Sequence, residues 1–372
     1  MQRDCLLYAI GTHFDAVTLA GVIARLRERM PAARHVIVDT GGVTTSLGLR
    51  AELGLPESDY LLEAPLGSPV TETTRIMERV ERVIEVEQPN LVIVPGDSAS
   101  TLAAALTALR LGIRSAHIDS GLRNHDRHVP EEMNRVIVDS FADLLFASGE
   151  QGFANLKFEG VETERVHVVG STAADTVRSV QPISKLAGTA ARHGLRRGDY
   201  LLVSLREAGI RNLSRLRAIL DRLMELSRKL PVIFPVGEQV QDTVARYVDG
   251  SRLRLTDPLG YLDFLSLQID ATAILTDRGG IQEETTCLGV PCFTIADETE
   301  RAVTLLRGTN RLLGHDPAGI GEILPALESE RQKPVSPPLW DGGASARVAD
   351  VLARTMRLQA VELSIAAEVN TP

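Results

Sequence analysis

Short apolar runs alternate with amphipathic helical patterns along the whole chain, and this alternation restricts the possible folds more than any other feature. The runs span residues 5–10, 35–38, 91–94, 115–118, 144–147, 166–169, 201–204, 232–236, 271–275 and 291–296. Near-continuous apolar strands joined by helices are typical of parallel sheets that are covered on both faces. We therefore predict an α/β protein.

The βα units fall into two sets, which predicts two doubly wound domains with a cleft between them. The 372 residues are enough for two domains of roughly 150 residues each. We place the first domain at residues 1–180 and the second at 190–335, because the stretch 182–198 has Pro, Ser, Gly and basic residues but no strand pattern. The segment 334–343 resembles a second crossing linker, and we expect a helix over 344–372 to pack back on the first domain.

Composition and charge exclude several classes of function. The formal net charge of −9 argues against nucleic acid or an anionic membrane as a partner. The three cysteines have no metal-ligand spacing, so we expect no metal. The first apolar run is too short for a signal peptide, and no stretch reaches the ~20 apolar residues of a membrane span. We therefore expect a cytoplasmic protein.

A tight glycine turn follows the apolar run 271–275. The sequence there is Thr-Asp-Arg-Gly-Gly-Ile-Gln-Glu-Glu, residues 276–284, which predicts a strand, a turn and a helix start in close succession. Free backbone N–H groups and the helix dipole then point at one place, where a phosphate can bind. Gly279 and Gly280 leave that approach open, and Glu283 and Glu284 lie within reach of a sugar attached to the phosphate. This pattern indicates a phosphosugar or nucleotide-sugar site.

Acidic residues follow the apolar runs of the first half. Ligands bind beyond the carboxyl ends of parallel strands, so the residues there are candidates for catalysis: Asp97, Asp119 and the Glu131-Glu132 pair. Pro130 is suited to the first position of a helix, which would begin beside Glu131. We expect the second domain to hold a nucleoside diphosphate while the first acts on the sugar with acid/base carboxylates.

Each candidate also has a structural interpretation. Asp97 can cap the helix that follows it, and Glu131 can be a first-turn acid that the helix dipole favours. Arg123 and Arg135 can form ion pairs with the acidic residues, and His117 is more often a packed strand residue than a catalyst. Glu284 can lie on a solvated helix face.

Five blocks in a fixed order resemble the UDP-N-acetylglucosamine 2-epimerase family. They are Gly96-Asp97-Ser98, Asp119–Arg123 followed by Pro130–Arg135, Thr276–Glu284, Thr299-Glu300-Arg301 and Gly308-Thr309-Asn310. The resemblance spans nearly the whole chain. It implies a GT-B-like fold of two Rossmann-type domains, the second of which binds UDP, and a reaction without a metal or redox cofactor.

The resemblance also implies a reaction. UDP leaves by elimination across C1–C2 and gives a 2-acetamidoglucal; non-hydrolysing members then add UDP back after C2 is reprotonated on the other face. In hydrolysing members, water completes the reaction and the free 2-epimer sugar is released. The resemblance further implies a homodimer and a role in cell-surface polysaccharide biosynthesis.

Site residues are carried over from the family position by position. Asp97 and Glu131 would be the acid/base pair near C2, and Asp119 stands where the family has a third, catalytic glutamate. In the second domain, the resemblance implies that Gly279 and Gly280 contact the diphosphate and that Glu284 binds the ribose. It also implies that Phe264 lines the uracil pocket and that Glu300 and Arg301 lie near the diphosphate or sugar.

Several cationic residues of the family are missing. Where the family has Gly-Thr-Arg-Pro-Glu-Ala-Ile-Lys, this chain has His13 in place of the arginine and Thr18 in place of the lysine. Four more departures are the Gln-His pair replaced by Gly42-Val43, the catalytic histidine lost around Leu205-Arg206-Glu207, a further histidine replaced by Gly237, and the turn serine replaced by Arg278.

Two hypotheses follow from these departures. In one, Arg206 and Arg278 replace the lost cations and His13 contributes in part. In the other, the substrate has changed or the activity is gone. The retained carboxylates favour an active, non-hydrolysing 2-epimerase of a UDP-2-acetamido sugar. A hydrolysing 2-epimerase, a silent nucleotide-sugar-binding protein and a glycosyltransferase remain as alternatives, and the sequence leaves the sugar and base open.

Overall fold

The described strands form two parallel sheets, and described helices lie between most successive strands. The computed structural model describes residues 4–41, 47–63, 67–206, 212–237, 241, 244, 247–248, 252–329 and 336–369. The predictions made for Gly42, Val43 and Glu207 lie outside these residues. By their contacts the residues divide into two units, Met1–Thr176 with Pro338–Pro372, and Val177–Pro337.

The strand order in each unit is that of a doubly wound sheet. The first sheet runs β3-β2-β1-β4-β5-β6-β7 and the second β10-β9-β8-β11-β12-β13. The strands are β1 Cys5–Ile10, β2 Arg34–Asp39, β3 Tyr60–Leu61, β4 Leu91–Pro95, β5 Arg114–Ser120, β6 Leu144–Ala147, β7 Val166–Val168, β8 Leu201–Ser204, β9 Val232–Pro235, β10 Leu253–Thr256, β11 Ala273–Thr276, β12 Cys292–Thr294 and β13 Asn310–Leu312.

Helices connect these strands in chain order. They are α1 His13–Arg29, α2 Leu47–Leu53, α3 Pro69–Glu87, α4 Ala99–Arg110, α5 Pro130–Phe141, α6 Glu150–Phe158, α7 Thr172–Ala187, α8 Thr189–Arg192, α9 Leu213–Ser227, α10 Tyr261–Asp270, α11 Gly279–Leu288, α12 Ala302–Leu306, α13 Ile323–Glu328 and α14 Ala344–Val369. Among the described helices, none combines the length and the apolar character that a membrane span requires.

Both faces of the second sheet are buried, which explains the continuous apolar runs in the sequence. Leu201 and Val203 of β8 pack in one core cluster, while Tyr200 and Leu202 pack in another. Since successive strand residues point to opposite faces, a strand that is covered on both sides needs apolar residues at every position. Burying each such side chain stabilises the fold by roughly 1.5–3 kcal/mol.

Local capping sets where the helices begin. Thr12 and Asp15 form a reciprocal capping box at the start of α1. Ser98 caps α4 by accepting a hydrogen bond from the Thr101 N–H. The prediction that Pro130 opens a helix is confirmed, because α5 begins at that residue.

The structure differs from the sequence prediction in the segment 182–198. Helix α7 continues through Pro182 to Ala187 and α8 follows at Thr189, so much of the expected linker is helical. Helical character persists because the pattern is amphipathic on both sides of the proline, with Val180 and Ser184 buried. The two units divide after Thr176, inside α7, while the domain limits placed at 180 and 190 stay predictions.

The apolar runs did not predict three of the described strands. β3, β10 and β13 are short, two to four residues each. Each is an edge strand of its sheet. An edge strand is covered less than a central one, so its sequence lacks the continuous apolar run on which the prediction relied.

The C-terminal segment belongs to the first unit. Trp340 is buried there and its indole N–H donates to the Ser148 carbonyl oxygen at 3.3 Å. Helix α14 then packs on α1, where Arg29 pairs with Asp350 at 2.9 Å. Its Ser345 N–H donates to the carboxylate of Asp175 on α7 at 2.7 Å.

Replacing Trp340 with alanine should lower the free energy of unfolding of the first unit by about 3–5 kcal/mol, because it leaves a large cavity. The matched control is Phe158→Ala, since Phe158 is 94% exposed. That change should stay within about 0.5 kcal/mol of the wild type. Urea denaturation followed by far-UV circular dichroism measures both; equal effects would contradict the packing of Trp340. Fluorescence is unsuitable because Trp340 is the only tryptophan in the chain.

Candidate functional site

The turn after β4 carries Asp97 and is held by side chains from two other elements. Arg135 of α5 forms an ion pair with the Asp97 carboxylate. Asn134 donates its side-chain N–H to the Asp97 carbonyl oxygen at 2.9 Å. The Ser98 hydroxyl donates to Asp15 at 3.2 Å. The Asp97 side chain remains 32% exposed, so it is fixed in place while still accessible.

Asp97 does not cap α4, so that structural interpretation is wrong. Ser98 performs the capping, as its hydroxyl oxygen accepts from the Thr101 N–H at 3.2 Å. The ion pair expected for Arg135 is confirmed. Asp97 is therefore held by Arg135 with its carboxylate still accessible.

Asp119 lies at the end of β5, beside the Asp97 turn. β4 and β5 are paired in parallel with Pro95 opposite Ile118, so both carboxylates follow neighbouring strands at the same edge of the sheet. The register between β5 and β6 shifts at Asp119, and its backbone φ is +65°. Its side chain is buried, with 2% of the residue exposed. Bulges and left-handed non-glycine residues occur often at functional sites.

Of the two glutamates at the start of α5, the structure gives Glu132 a structural role. Glu132 is buried, pairs with Arg135 at 2.9 Å and accepts from the backbone N–H groups of Asn124 and His125 at 3.1 and 2.9 Å. Glu131 is half-buried on the first turn of α5. Glu131 is therefore the member of the pair that is better suited to acid/base chemistry.

The start of α1 lies at the carboxyl end of β1. His13 is the first helical residue and is half-buried. Thr18, at the position of the family lysine, is buried within α1 and carries no charge. The family has a cationic residue at two positions of this helix. In this chain the first of them carries His13, which is titratable, and the second carries the neutral Thr18.

Asp15 is a buried carboxyl group of this edge that the sequence analysis did not select. It accepts from the N–H groups of Gly11 and Thr12 at 3.0 and 2.9 Å and from Ser98. Burial raises its pKa to about 7, with a smaller upward contribution from the charge of Asp97, although the hydrogen bonds oppose the rise. Its sequence signal was the Thr-x-x-Asp capping spacing, which indicates a helix start rather than a site.

In the second unit, the glycine turn forms the N-terminus of α11. A Cβ atom on Gly279 would lie 2.0 Å from a carboxylate oxygen of Glu300 and 2.9 Å from Nε of Arg301. A side chain at position 279 therefore has no room. The Glu300 carboxylate approaches the positive end of the α11 dipole, where the sequence predicted an anion.

Arg206 and Arg278 lie at the carboxyl ends of two central strands of the second sheet. They follow β8 and β11, which pair in parallel with Ser204 opposite Thr276. The Arg278 guanidinium donates to the Leu205 carbonyl oxygen at 2.8 Å. The Arg206 N–H donates to the Asp277 carboxylate at 2.8 Å. Both arginines are exposed, so two cationic side chains stand together where the family has a histidine and a serine.

Glu284 is buried, so its interpretation as part of a solvated helix face is wrong. The Tyr261 hydroxyl donates to one carboxylate oxygen at 3.0 Å and the Gln268 amide to the other at 2.5 Å. Burial raises the pKa of Glu284 to about 7, against the opposing effects of Gln268, Tyr261 and Arg278. Phe264, on the same helix α10 as Tyr261, is half-buried against the second core cluster.

Side chains of α11 connect the remaining sequence blocks. Glu283 pairs with Arg301 at 2.7 Å, and both are buried. The side-chain amide oxygen of Gln282, Oε1, accepts from the Thr299 hydroxyl at 2.6 Å and from the Asn310 side-chain N–H at 3.0 Å. The blocks at 276–284, 299–301 and 308–310 are therefore parts of one assembly.

Known proteins resemble this chain over most of its length. The family model for UDP-N-acetylglucosamine 2-epimerase matches residues 26–353. A UDP-N-acetylglucosamine 2-epimerase from Methanocaldococcus jannaschii is 31% identical over 357 residues, 92% of this chain and 97% of the relative. A UDP-2,3-diacetamido-2,3-dideoxy-D-glucuronate 2-epimerase from Pseudomonas aeruginosa is 32% identical over 350 residues, 90% and 96% of the two chains.

A solved structure shows the same fold. The M. jannaschii UDP-GlcNAc 2-epimerase in complex with UDP-GlcNAc and UDP matches with a TM-score of 0.85 and 30% identity. The match covers 94% of this chain and 99% of that one. The fold is therefore GT-B-like, with two Rossmann-type units. Within the residues that the structure describes, no group of three or more His, Cys, Asp or Glu side chains is arranged to hold a metal ion.

Glu284 should make the stability of the second unit depend on pH. Its pKa is about 7 in the folded protein against 4.5 ordinarily, so the folded state holds a proton that the unfolded state has lost. The free energy of unfolding should be greatest below pH 4.5 and fall as the pH rises to about 7, by about 3 kcal/mol from this residue.

Glu284→Gln should remove that fall, because an amide stays neutral and can still bond Gln268 and Tyr261. The measurement is the free energy of unfolding in urea between pH 4 and 8 for both proteins. Asp15 also has a raised pKa but is unchanged in the variant, so it cancels in the difference. Parallel curves would show that the pKa of Glu284 is the same in the folded and unfolded states.

Proposed function

Because the chain belongs to the UDP-N-acetylglucosamine 2-epimerase family, we propose that it inverts C2 of a UDP-2-acetamido sugar by eliminating UDP and adding it back. The chain is an epimerase-type isomerase, and the proposal concerns its substrate and mechanism. The observation that carries it is the pair Asp97 and Asp119, which lie at the carboxyl ends of the neighbouring strands β4 and β5, with Glu131 on the first turn of α5.

The proposed reaction starts at C2 of the sugar. A carboxylate removes the C2 proton, the electron pair forms the C1–C2 double bond, and the C1–O bond breaks as UDP leaves. A carboxylic acid on the other face then protonates C2, and a phosphate oxygen of UDP adds back to C1. Asp97 and Glu131 are the proposed acid/base pair, and Asp119 the third carboxylate. The accessibility of Asp97 beside Arg135 supports its role.

UDP would bind to the second unit. Gly279 and Gly280 offer the N-terminus of α11 to the diphosphate, and Glu300 and Arg301 lie beside it. Glu284 is proposed to accept hydrogen bonds from the ribose, and Phe264 to line the uracil pocket. The M. jannaschii relative, which was solved with UDP-GlcNAc and UDP, supports this class of ligand.

Cationic side chains must stabilise the leaving diphosphate. Arg206 and Arg278 are proposed to do so, with His13 contributing in the first unit. Both arginines are exposed at the carboxyl ends of paired strands, which supports their replacing the family's cationic residues. A homodimer that serves cell-surface polysaccharide synthesis is a further proposal, and it rests on the family resemblance alone.

The same two arginines favour a second substrate class, a UDP-sugar that carries a carboxylate. The P. aeruginosa relative is named for a UDP-diacetamido-glucuronate, and its identity of 32% equals or exceeds that of several UDP-GlcNAc epimerases. A guanidinium binds a carboxylate as well as a phosphate through paired hydrogen bonds. A uronate substrate would therefore give Arg278 a reason to replace the family serine.

Incubation with UDP-GlcNAc or its uronate analogue in D2O should place deuterium at C2 and produce the 2-epimer, as followed by NMR. Asp97→Asn should slow the exchange by about 10²–10⁴-fold, because the amide cannot transfer the proton. Asp350→Asn is the matched control, as Asp350 is exposed on α14, and it should keep the wild-type rate.

The products separate the alternatives. Release of free UDP and a free 2-epimer sugar would identify a hydrolysing enzyme, and nucleotide binding without exchange would identify a silent binding protein. Absence of deuterium from every UDP-2-acetamido sugar tested would overturn the proposal.

Arg278→Ser and Arg206→Ser should each raise the Kd for UDP by roughly 10–100-fold, the equivalent of one lost hydrogen bond to a charged group. Isothermal titration calorimetry measures the change. Arg311→Ser on the edge strand β13 is the control, since Arg311 is also exposed in this unit. An unchanged Kd for Arg278→Ser would show that the glycines and the helix dipole suffice.

A further inference from the structure

His117 is fully buried on β5, and both nitrogens of its ring contact oxygen acceptors. Nδ1 lies 2.7 Å from a carboxylate oxygen of Asp139, and Nε2 lies 2.7 Å from the Gly96 carbonyl oxygen. A neutral imidazole carries one N–H, whereas an imidazolium donates from both nitrogens. An imidazolium satisfies both short contacts, since each nitrogen then donates to its oxygen acceptor.

Asp139 connects His117 with the turn at the end of β5, which follows Asp119. Its other oxygen accepts from the Gly121 N–H at 3.0 Å and pairs with Arg123 at 2.8 Å. Arg123 in turn donates to both carboxylate oxygens of Glu159, at 2.8 and 2.7 Å. Two cations thus balance two anions, and three of the four side chains are almost completely buried.

The two ends of this network lie beside the proposed catalytic carboxylates. At one end His117 holds Gly96, which precedes Asp97. At the other end Asp139 holds Gly121, two residues after Asp119. The Gly96 N–H also donates to the Ile118 carbonyl oxygen at 2.9 Å, which joins the two turns directly.

The surroundings of His117 favour its charged form. Burial lowers its pKa, but the charge and hydrogen bond of Asp139, the Gly96 carbonyl and the charge of Asp119 outweigh that effect and leave the pKa raised. These groups come from α5, from the turn after β4 and from β5 itself. The Asp139 carboxyl has a lowered pKa for the reciprocal reason, with His117 and Arg123 overcoming the effect of burial.

We propose that His117 and Asp139 are positioning residues that fix Asp97 and Asp119 relative to each other, with His117 acting as an imidazolium. This inference rests on the proposed function, because the carboxylates matter as acid and base at C2. A displacement of about 1 Å from productive geometry costs about 100-fold in rate, so a rigid connection between the two turns matters for kcat rather than for substrate binding.

Loss of the extra proton should break the link from His117 to the turn after β4. The remaining N–H stays with Asp139, where the bond is charge-assisted. The Gly96 carbonyl then loses its donor, and the Asp97 turn is no longer held by the network. The kcat of the wild type should therefore fall as the pH rises through the raised pKa of His117.

Two amide variants separate the two hydrogen bonds. In His117→Asn the amide nitrogen stands near Nδ1 and bonds Asp139, so the donor to Gly96 is lost. In His117→Gln the amide nitrogen stands near Nε2 and can still reach Gly96. We expect kcat for C2 exchange to fall about 100-fold in His117→Asn and about 10-fold in His117→Gln, with little change in KM. The alkaline fall in kcat should be absent from both.

His35→Gln is the control, as it makes the same substitution in the same sheet. The His35 ring also contacts two partners, Tyr8 at 2.8 Å and the Met30 carbonyl oxygen at 3.1 Å, but it lies near the amino end of β2. This variant should keep the wild-type kcat and pH profile. Wild-type kcat with the alkaline fall intact in His117→Asn would overturn the inference, as would a loss matched by loss of folded protein in far-UV circular dichroism.

A measurement on the unaltered chain needs neither folding of a variant nor activity. Nitrogen NMR of the His117 ring should show both nitrogens protonated at pH 7, and a neutral ring would overturn the inference. If the wild type shows no C2 exchange with any UDP-sugar, the proposed function fails, whereas a doubly protonated ring would still support the network that joins the two turns.

Discussion

Parallel pairing of neighbouring strands is the constraint on which the candidate site depends. It brings the ends of β4 and β5 to one edge in the first unit, and the ends of β8 and β11 to one edge in the second. Asp97 and Asp119, which lie in separate parts of the chain, come to the same end of the first sheet in this way. The apolar runs that bury these strands therefore determine the site as much as its polar residues do.

The two units hold their polar residues by different means. In the first unit the proposed catalytic turns are fixed by buried charges, with Arg135 on Asp97 and Asp139 between the two turns. In the second unit a single helix, α11, connects the sequence blocks through Gln282 and Glu283. The first arrangement sets the geometry and charge of individual carboxylates, while the second offers backbone N–H groups at a helix start. These properties suit acid/base chemistry and anion binding respectively.

The central strands, the start of α5 and the order of the motifs were predictable, because each rests on a local pattern of apolar residues, proline or glycine. Asp15 and the buried state of Glu284 were not. Whether a carboxyl group is buried depends on side chains that pack from distant parts of the chain, such as Gln268 against Glu284. The helix through Pro182 was not predictable for the same reason, since the burial of flanking side chains stabilises a helix that a proline tends to end.

The Glu300 carboxylate next to Gly279 has a consequence for how tightly any anion can be held. The start of α11 already faces a negative group from its own chain. An incoming phosphate must displace that group or share the positive end of the helix with it, so the net gain is the difference between two anions rather than the full attraction. Such an exchange favours modest affinity for the phosphate and its rapid release. Arg301, which lies beside Glu300, can pair with either anion as one replaces the other.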